Sequence, residues 1–539
     1  MEKRWRKKSE GDEITETTEE IELSNFLPDT LKRGNIAEPT WKDTVNQVLA
    51  SCIVHCIVIQ AGVNMAYSTI LIGGLQAEND VKNLTNNASN VNPDGQQIII
   101  DKNDESWIAS LVTITLPIGS LMAGPFMDKF GRKTMCIALC VPTMISWIVL
   151  IVSRSLMMIY VARCLAGMSA GLTSVGLVYV IEITHPRIRA MLLCLNSVFV
   201  SLGILLACFF ALWLEWRQVA MLFLALNFII FFALFVVPES PYWLLCFAHG
   251  SQDPKRIARA EKSLRWFNPQ TWMYEQEYAR IKETSRSNDI GEEESSGWGK
   301  FFLTRFKYYS REMAKPTIYK PMMMLFVILL MQQLSGAYVV IFYAISVFKE
   351  IGGTFGDNLD EYGALLLLGI IRFIMSILTA HLSRTIGRRT LCIASGLGMS
   401  FAMFFSAMLV YLTFAPSDAS ADNSVTSLLS QQKWLLLVVV LFYVCMSTLG
   451  FVVIPWTLIG ELLPISFRGI GGGIMISYTY VVMFAVVKSY PHALYAVGPQ
   501  NVFFFFSLMS LLGTGYIYLF LPETLGKSLK QIEHYFASQ

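Results

Sequence analysis

Two adjacent carboxamides, Gln332 and Gln333, sit inside a long apolar run, "MQQLSGAYVVIFYAI", residues 331 to 345. In hydrocarbon an amide without a partner costs several kcal/mol. On a helix, neighbours point about 100° apart, so one can face a cavity while the other braces it. Amides offer donors and acceptors together. The pair therefore either binds a hydrogen-bonding solute or glues helices to each other. The "SG" that follows permits close packing and local bending.

Charges inside apolar runs are the next candidates. Arg372 lies mid-run, where an ionised side chain costs about 2.5–3.5 kcal/mol or more and usually faces a cavity. It either partners a helix carbonyl or neighbouring polar group, or contacts a hydroxyl or anionic group of a ligand. Arg163 is also mid-run. His55 reads as a packed helix residue rather than a proton carrier. Lys488, near the end of its run, is expected to snorkel to an interface. A further set gathers at run ends: Asp128, Arg132, Glu182, Arg189, Arg388, Glu461 and Arg468. These are either flanking charges that set topology or a latch drawn from both halves of the chain. Arg–carboxylate bonds suit a reversible latch, because breaking them exposes the ions to water rather than lipid.

The elements that must position these residues follow from composition. The chain has 539 residues, 54% hydrophobic and 15% charged, against about 25% charged in an average soluble domain. Apolar runs of 18 or more residues recur, each able to cross a hydrocarbon core. The fold class is therefore all-α, polytopic and membrane-embedded. Twelve spans are expected at 47–70, 107–127, 134–153, 156–181, 190–213, 218–237, 318–347, 361–382, 390–414, 434–463, 468–490 and 499–521. This gives an N-terminal tail (1–46), a six-helix bundle (47–237), a linker with short surface helices (238–317), a second bundle (318–521) and a C-terminal tail (522–539).

Lys and Arg are rich in the tails, the central stretch and the "DKFGRK" and "HPRIRA" loops. The loop 71–106 has two Lys against six acids. The positive-inside rule puts both termini in the cytoplasm and 71–106 outside. That loop also holds glycosylation triplets at Asn83 and Asn87. The N-terminal residues read as a solvated tail without a signal peptide. The ten cysteines lie in or beside apolar runs and read as packing residues. A net charge of +2 argues against a nucleic-acid partner. No nucleotide loop, metal cluster or catalytic constellation is evident. Neither an enzyme nor a cofactor is expected, and no obligate protein partner is evident.

An internal repeat organises the chain. "GPFMDKFGRK" recurs as "AHLSRTIGRR", "IEITHPRIRA" as "GELLPISFRG", and "VPESPYWLL" as "LPETLGKSL", at offsets of 256, 279 and 284. Two homologous six-helix halves place a site between them near the midplane, with alternating access by rocking.

With R-x3-G-x3-G (Arg163, Gly167, Gly171), QQLSG and PW-x4-E added, these motifs resemble the sugar porters of the major facilitator superfamily, over residues 47 to 533. The insect facilitated trehalose and hexose transporters are the nearest in character. The resemblance implies the major facilitator fold, a sugar substrate, and Gln332 and Gln333 at the sugar site. There the amides would match sugar hydroxyls. Trp456 would be a stacking platform. It also implies that Ser197, Tyr338, Arg372 and Thr479–Tyr480 replace the family's usual polar contacts, and that the charged run ends form a cytoplasmic latch. Three departures stand out. Arg384 replaces the acid before the second "GRR". "GFVV" (450–453) replaces a GPGP break, so the tenth span is expected to flex less. Ser68 stands where symporters pair an Asp with Arg163. The resulting expectation is a facilitative plasma-membrane sugar transporter. The alternatives are a proton-coupled sugar or organic-anion transporter and, in another class, a non-transporting sugar sensor.

Overall fold

The computed structural model describes residues 41–85, 100–246, 254–288, 313–343, 361–414, 433–463 and 467–537, a few isolated positions aside. The described residues carry twelve helical segments long and apolar enough to cross a membrane, six on each side of the linker. In the first half they are Lys42–Gln76, Asn103–Phe130, Arg132–Val152, Leu156–Ile183, Met191–Phe210 and Trp216–Ala233. In the second half they are Pro316–Leu334, Gly363–Leu382, Arg388–Leu412, Leu435–Leu462, Ile470–Val497 and Pro499–Phe520.

The packing obeys the sequence repeat. In the first half, the first span packs on the fifth, the second on the fourth, and the third on the fourth and sixth. In the second half, the seventh packs on the eleventh, the eighth on the tenth, and the ninth on the tenth and twelfth. These are the same pairs shifted by six. The halves meet where the second span lies on the eleventh and the fifth on the eighth. Those two contacts also exchange under the repeat, as two homologous bundles docked about a common axis require.

The expected loop 71–106 is shorter than its sequence suggests. The first helix runs Trp41–Thr85 and the second begins at Lys102, so both project beyond their apolar cores. Gln76 donates to Glu105 Oε1 at 2.6 Å and ties the two projections together. Asn83 sits in the last turn of the first helix, where side chains lie outside the described residues, as does Asn87. The linker carries helices Pro241–Cys246, Pro254–Phe267 and Thr271–Asn288. It docks on the first span through Asn46 to Trp266 O (2.7 Å) and Gln47 to Asn268 Oδ1 (2.9 Å). The last residues form a helix, Leu529–Ala537, with Ile532 and Phe536 buried.

Two spans break. The seventh stops at Leu334 and resumes at Val339. Gly336 turns the chain there at φ +84°, and the side chain of Phe506 fills the space a Cβ would take. The tenth stops at Leu449 and resumes at Ile454. The helix is interrupted at 450–453 although no proline stands there. The reason lies one turn later: Pro455 has no N–H to give Phe451 O. Val452 N reaches back to Ser447 O at 3.0 Å, a turn one residue too wide, and Ser395 Oγ accepts Phe451 N at 2.8 Å.

Candidate functional site

The two breaks brace each other. Gln332 Nε2 donates to Phe451 O and Val452 O, both at 2.9 Å. Tyr443 of the tenth span donates to Ser335 O in the seventh-span break at 2.7 Å. Each span therefore supplies a polar side chain to backbone that the other leaves unpaired, the condition for irregular backbone at membrane depth. Gln333 is different. It is 1% exposed, and neither its nitrogen nor its oxygen has a protein partner among the described residues.

Through Tyr338 the seventh-span break also meets an aromatic and cationic group. Trp456 Nε1 donates to Tyr338 Oη at 3.0 Å, and the Trp456 and Tyr480 rings lie 5.5 Å apart. Arg372 is 5% exposed and interacts electrostatically with Tyr338. Among the described residues its guanidinium has no hydrogen bond or ion pair, and its Nε is buried and unpartnered. One turn on, Ser376 donates to Ser201 of the fifth span at 2.6 Å, joining the halves. Ser197, half-buried, lies one turn before Ser201. The structure thus places Tyr338, Arg372, Trp456 and Tyr480 together, and Ser197 on the helix facing them.

Arg163 forms a second buried cationic site, fully enclosed in the first half. It donates to Asn64 O at 3.0 Å and to the Ser68 hydroxyl. His55 is also fully buried, with Nε2 2.9 Å from Leu192 O.

The end charges build two copies of one network. Arg132 pairs with Glu182 at 2.8 Å and Asp128 at 3.4 Å. Arg388 pairs with Glu461 at 2.9 Å. Ser240 donates to Glu182, and Thr524 to Glu461. Among the described residues these pairs each join helices of one half. Arg189 donates to Thr184 O at 2.8 Å. The Arg468 side chain and Arg384 lie outside the described residues. Two acids with no prior role anchor the copies. Glu239 accepts from Arg132 N and Lys133 N, and Glu523 from Arg388 N and Arg389 N. Both belong to the repeated "PES" and "PET" segments, the signal that could have found them.

At the opposite end, contacts cross between halves. Thr69 donates to Ile341 O and Phe342 O at 3.0 Å. Lys488, expected to snorkel to an interface, is partly exposed and reaches the start of the second span. Its ammonium lies 4.0 Å from the Trp107 ring centre and donates to Ser106 Oγ at 2.6 Å and Asn103 Oδ1 at 3.3 Å.

The Sugar (and other) transporter family matches residues 54–536. The chain belongs to this family. A facilitated trehalose transporter Tret1 of Culex quinquefasciatus is 26% identical over 497 residues, 92% of this chain and 87% of that one. A facilitated trehalose transporter Tret1 of Bombyx mori is 28% identical over 435 residues, 80% of this chain and 79% of that one. Among solved structures, the proton:xylose symporter XylE bound to 6-bromo-6-deoxy-D-glucose superposes with a TM-score of 0.67 at 20% identity. That match covers 90% of this chain and 99% of the other. The inward-open xylose transporter XylE from E. coli gives a TM-score of 0.63 at 19% identity, covering 90% of this chain and 98% of the other. These likenesses establish the major facilitator fold. In this sugar transporter family member, the broken seventh and tenth spans pack on each other and on the ninth and twelfth spans of the second bundle. It is a transporter, not an enzyme.

Proposed function

We propose that the chain is a facilitative transporter of a sugar across the plasma membrane, with both termini cytoplasmic. The observation that carries the facilitative reading is the pairing of Arg163 with the Ser68 hydroxyl and the Asn64 carbonyl. Coupling to protons needs a group whose proton affinity changes as access alternates. A serine does not titrate near neutral pH, and arginine stays charged. His55, fully buried against Leu192 O, is remote from solvent. The relatives named as facilitated trehalose transporters support the sugar reading, as do the unpartnered carboxamide of Gln333 and the Trp456 indole face. The test is uptake of a radiolabelled panel of hexoses, trehalose, polyols and anionic sugars in a host lacking its own carriers. A protonophore should have no direct effect on the transported solute. Loss of uptake on protonophore addition would sink the facilitative reading.

The cross-half contacts at the Lys488 end close the outer side, while the paired charges at the other end keep each half rigid. Lys488→Met removes a cation from the junction of the second and eleventh spans at Trp107. It is expected to favour outward opening. A Ser197→Cys probe should then react faster with a membrane-impermeant thiol reagent added outside than it does with Lys488 intact. An unchanged labelling rate would show that Lys488 is no part of the closure.

A further inference from the structure

We infer that the transported solute is a sugar acid: a hydroxylated ring or chain carrying one ionised carboxylate, held by Arg372. The inference rests on the transport reading above and names its substrate class. Arg372 is buried mid-span with no ion-pair partner among the described residues. A buried unpaired cation is costly, and such charges usually face a cavity and mark a solute path. The surrounding spans cannot neutralise it. No Asp or Glu occurs in the segments Met191–Phe210, Pro316–Leu334, Gly363–Leu382 or Ile470–Val497. The one acid of Leu435–Leu462, Glu461, is already paired with Arg388.

The counter-charge must then arrive with the ligand. A guanidinium forks two parallel N–H donors onto a carboxylate. Gln333, with its amide nitrogen and oxygen both unpartnered, is suited to hydroxyls on the same molecule. Trp456 and Tyr480 offer ring faces beside them. The charge count selects among anions. One guanidinium balances one carboxylate, whereas a phosphate ester carries about −1.5 to −2 and would leave excess charge buried.

A carrier without proton coupling would then move one net negative charge per cycle, so its transport must feel the membrane potential. The test uses the full chain in proteoliposomes with radiolabelled glucuronate, glucose and glucose 6-phosphate. Wild-type protein is expected to carry glucuronate. A potential of −100 mV inside should lower its steady-state inside-to-outside ratio about 50-fold relative to zero potential. Arg372→Gln should lower the glucuronate rate at low concentration about 10- to 100-fold and shift the glucuronate-to-glucose rate ratio at least about 10-fold toward glucose. Arg372→Lys should restore part of the loss. Glucose uptake without glucuronate uptake overturns the sugar-acid inference and leaves the transport reading standing. Uptake of neither, nor of glucose 6-phosphate, overturns both. Preference for glucose 6-phosphate, or equal loss of glucuronate and glucose in Arg372→Gln, also overturns the inference. The potential measurement on wild-type protein holds even if the glutamine variant fails to fold.

Discussion

Gln332→Leu and Gln333→Leu are expected to fail in different ways. Gln332 supplies the hydrogen bond that Pro455 cannot give to Phe451 O, 119 residues away in sequence. Removing it strands a buried carbonyl, at a cost of about 1–3 kcal/mol. The variant should unfold at lower temperature in detergent and reach the membrane in smaller amounts. Gln333 has no hydrogen-bond partner among the described residues, so Gln333→Leu should fold normally. It should raise the half-saturation concentration for substrate about 2- to 10-fold, the worth of one net hydrogen bond. Thermal midpoints and uptake kinetics on the two variants check this together. Equal losses of stability would mean that Gln333 is also structural glue.

The second large effect is expected at the repeated acids. Glu523 accepts from Arg388 N at 2.9 Å and Arg389 N at 3.2 Å, holding the start of the ninth span. The space is made by Gly387: a Cβ there would come within 2.1 Å of Glu523 Oε2. Gly131 and Glu239 make the same arrangement in the first half, with a Cβ only 2.6 Å from Glu239 Oε2. Gly387→Ala and Glu523→Ala should therefore act alike, because both remove the carboxylate from the same backbone N–H groups. Each should cost about 1.5–3 kcal/mol, the range for hydrogen bonds to a charged group. The double variant should cost no more than the worse single one, since the interaction can be lost only once. Additive losses of thermal midpoint would break the link between glycine and carboxylate.

The twelve spans were legible because apolar runs of membrane length are a one-dimensional signal. The two halves were legible because three marked loops repeat in the same order. The partners of the end charges were not. Glu182 and Arg189 are seven residues apart, but spacing along the chain does not say which charges meet, and Glu182 meets Arg132 instead. The tenth-span break is not legible at 450–453, which hold no proline, because the missing donor belongs to Pro455. Its repair by Gln332 is a contact no local pattern encodes. The position of Lys488 near a span end is legible in the sequence, whereas its partners Trp107 and Ser106 on another span are not. The first helix was expected to end near residue 70, where hydropathy falls. It continues to Thr85 because Gln76 finds Glu105 on the neighbouring projection. Among the site residues, Gln333 and Arg372 stood out in the sequence as polar groups in apolar surroundings. What the structure adds is that neither has a protein partner among the described residues.

The measurement that bears most directly on the account is proton movement during transport. Proteoliposomes holding the full chain and a trapped pH dye, clamped at zero membrane potential, would receive the transported solute on the outside. The Arg163–Ser68 pair predicts uptake to equal concentrations inside and out, with no change of internal pH beyond that of empty vesicles. Internal acidification in fixed ratio to solute entry, or accumulation driven by an imposed pH gradient, would contradict it.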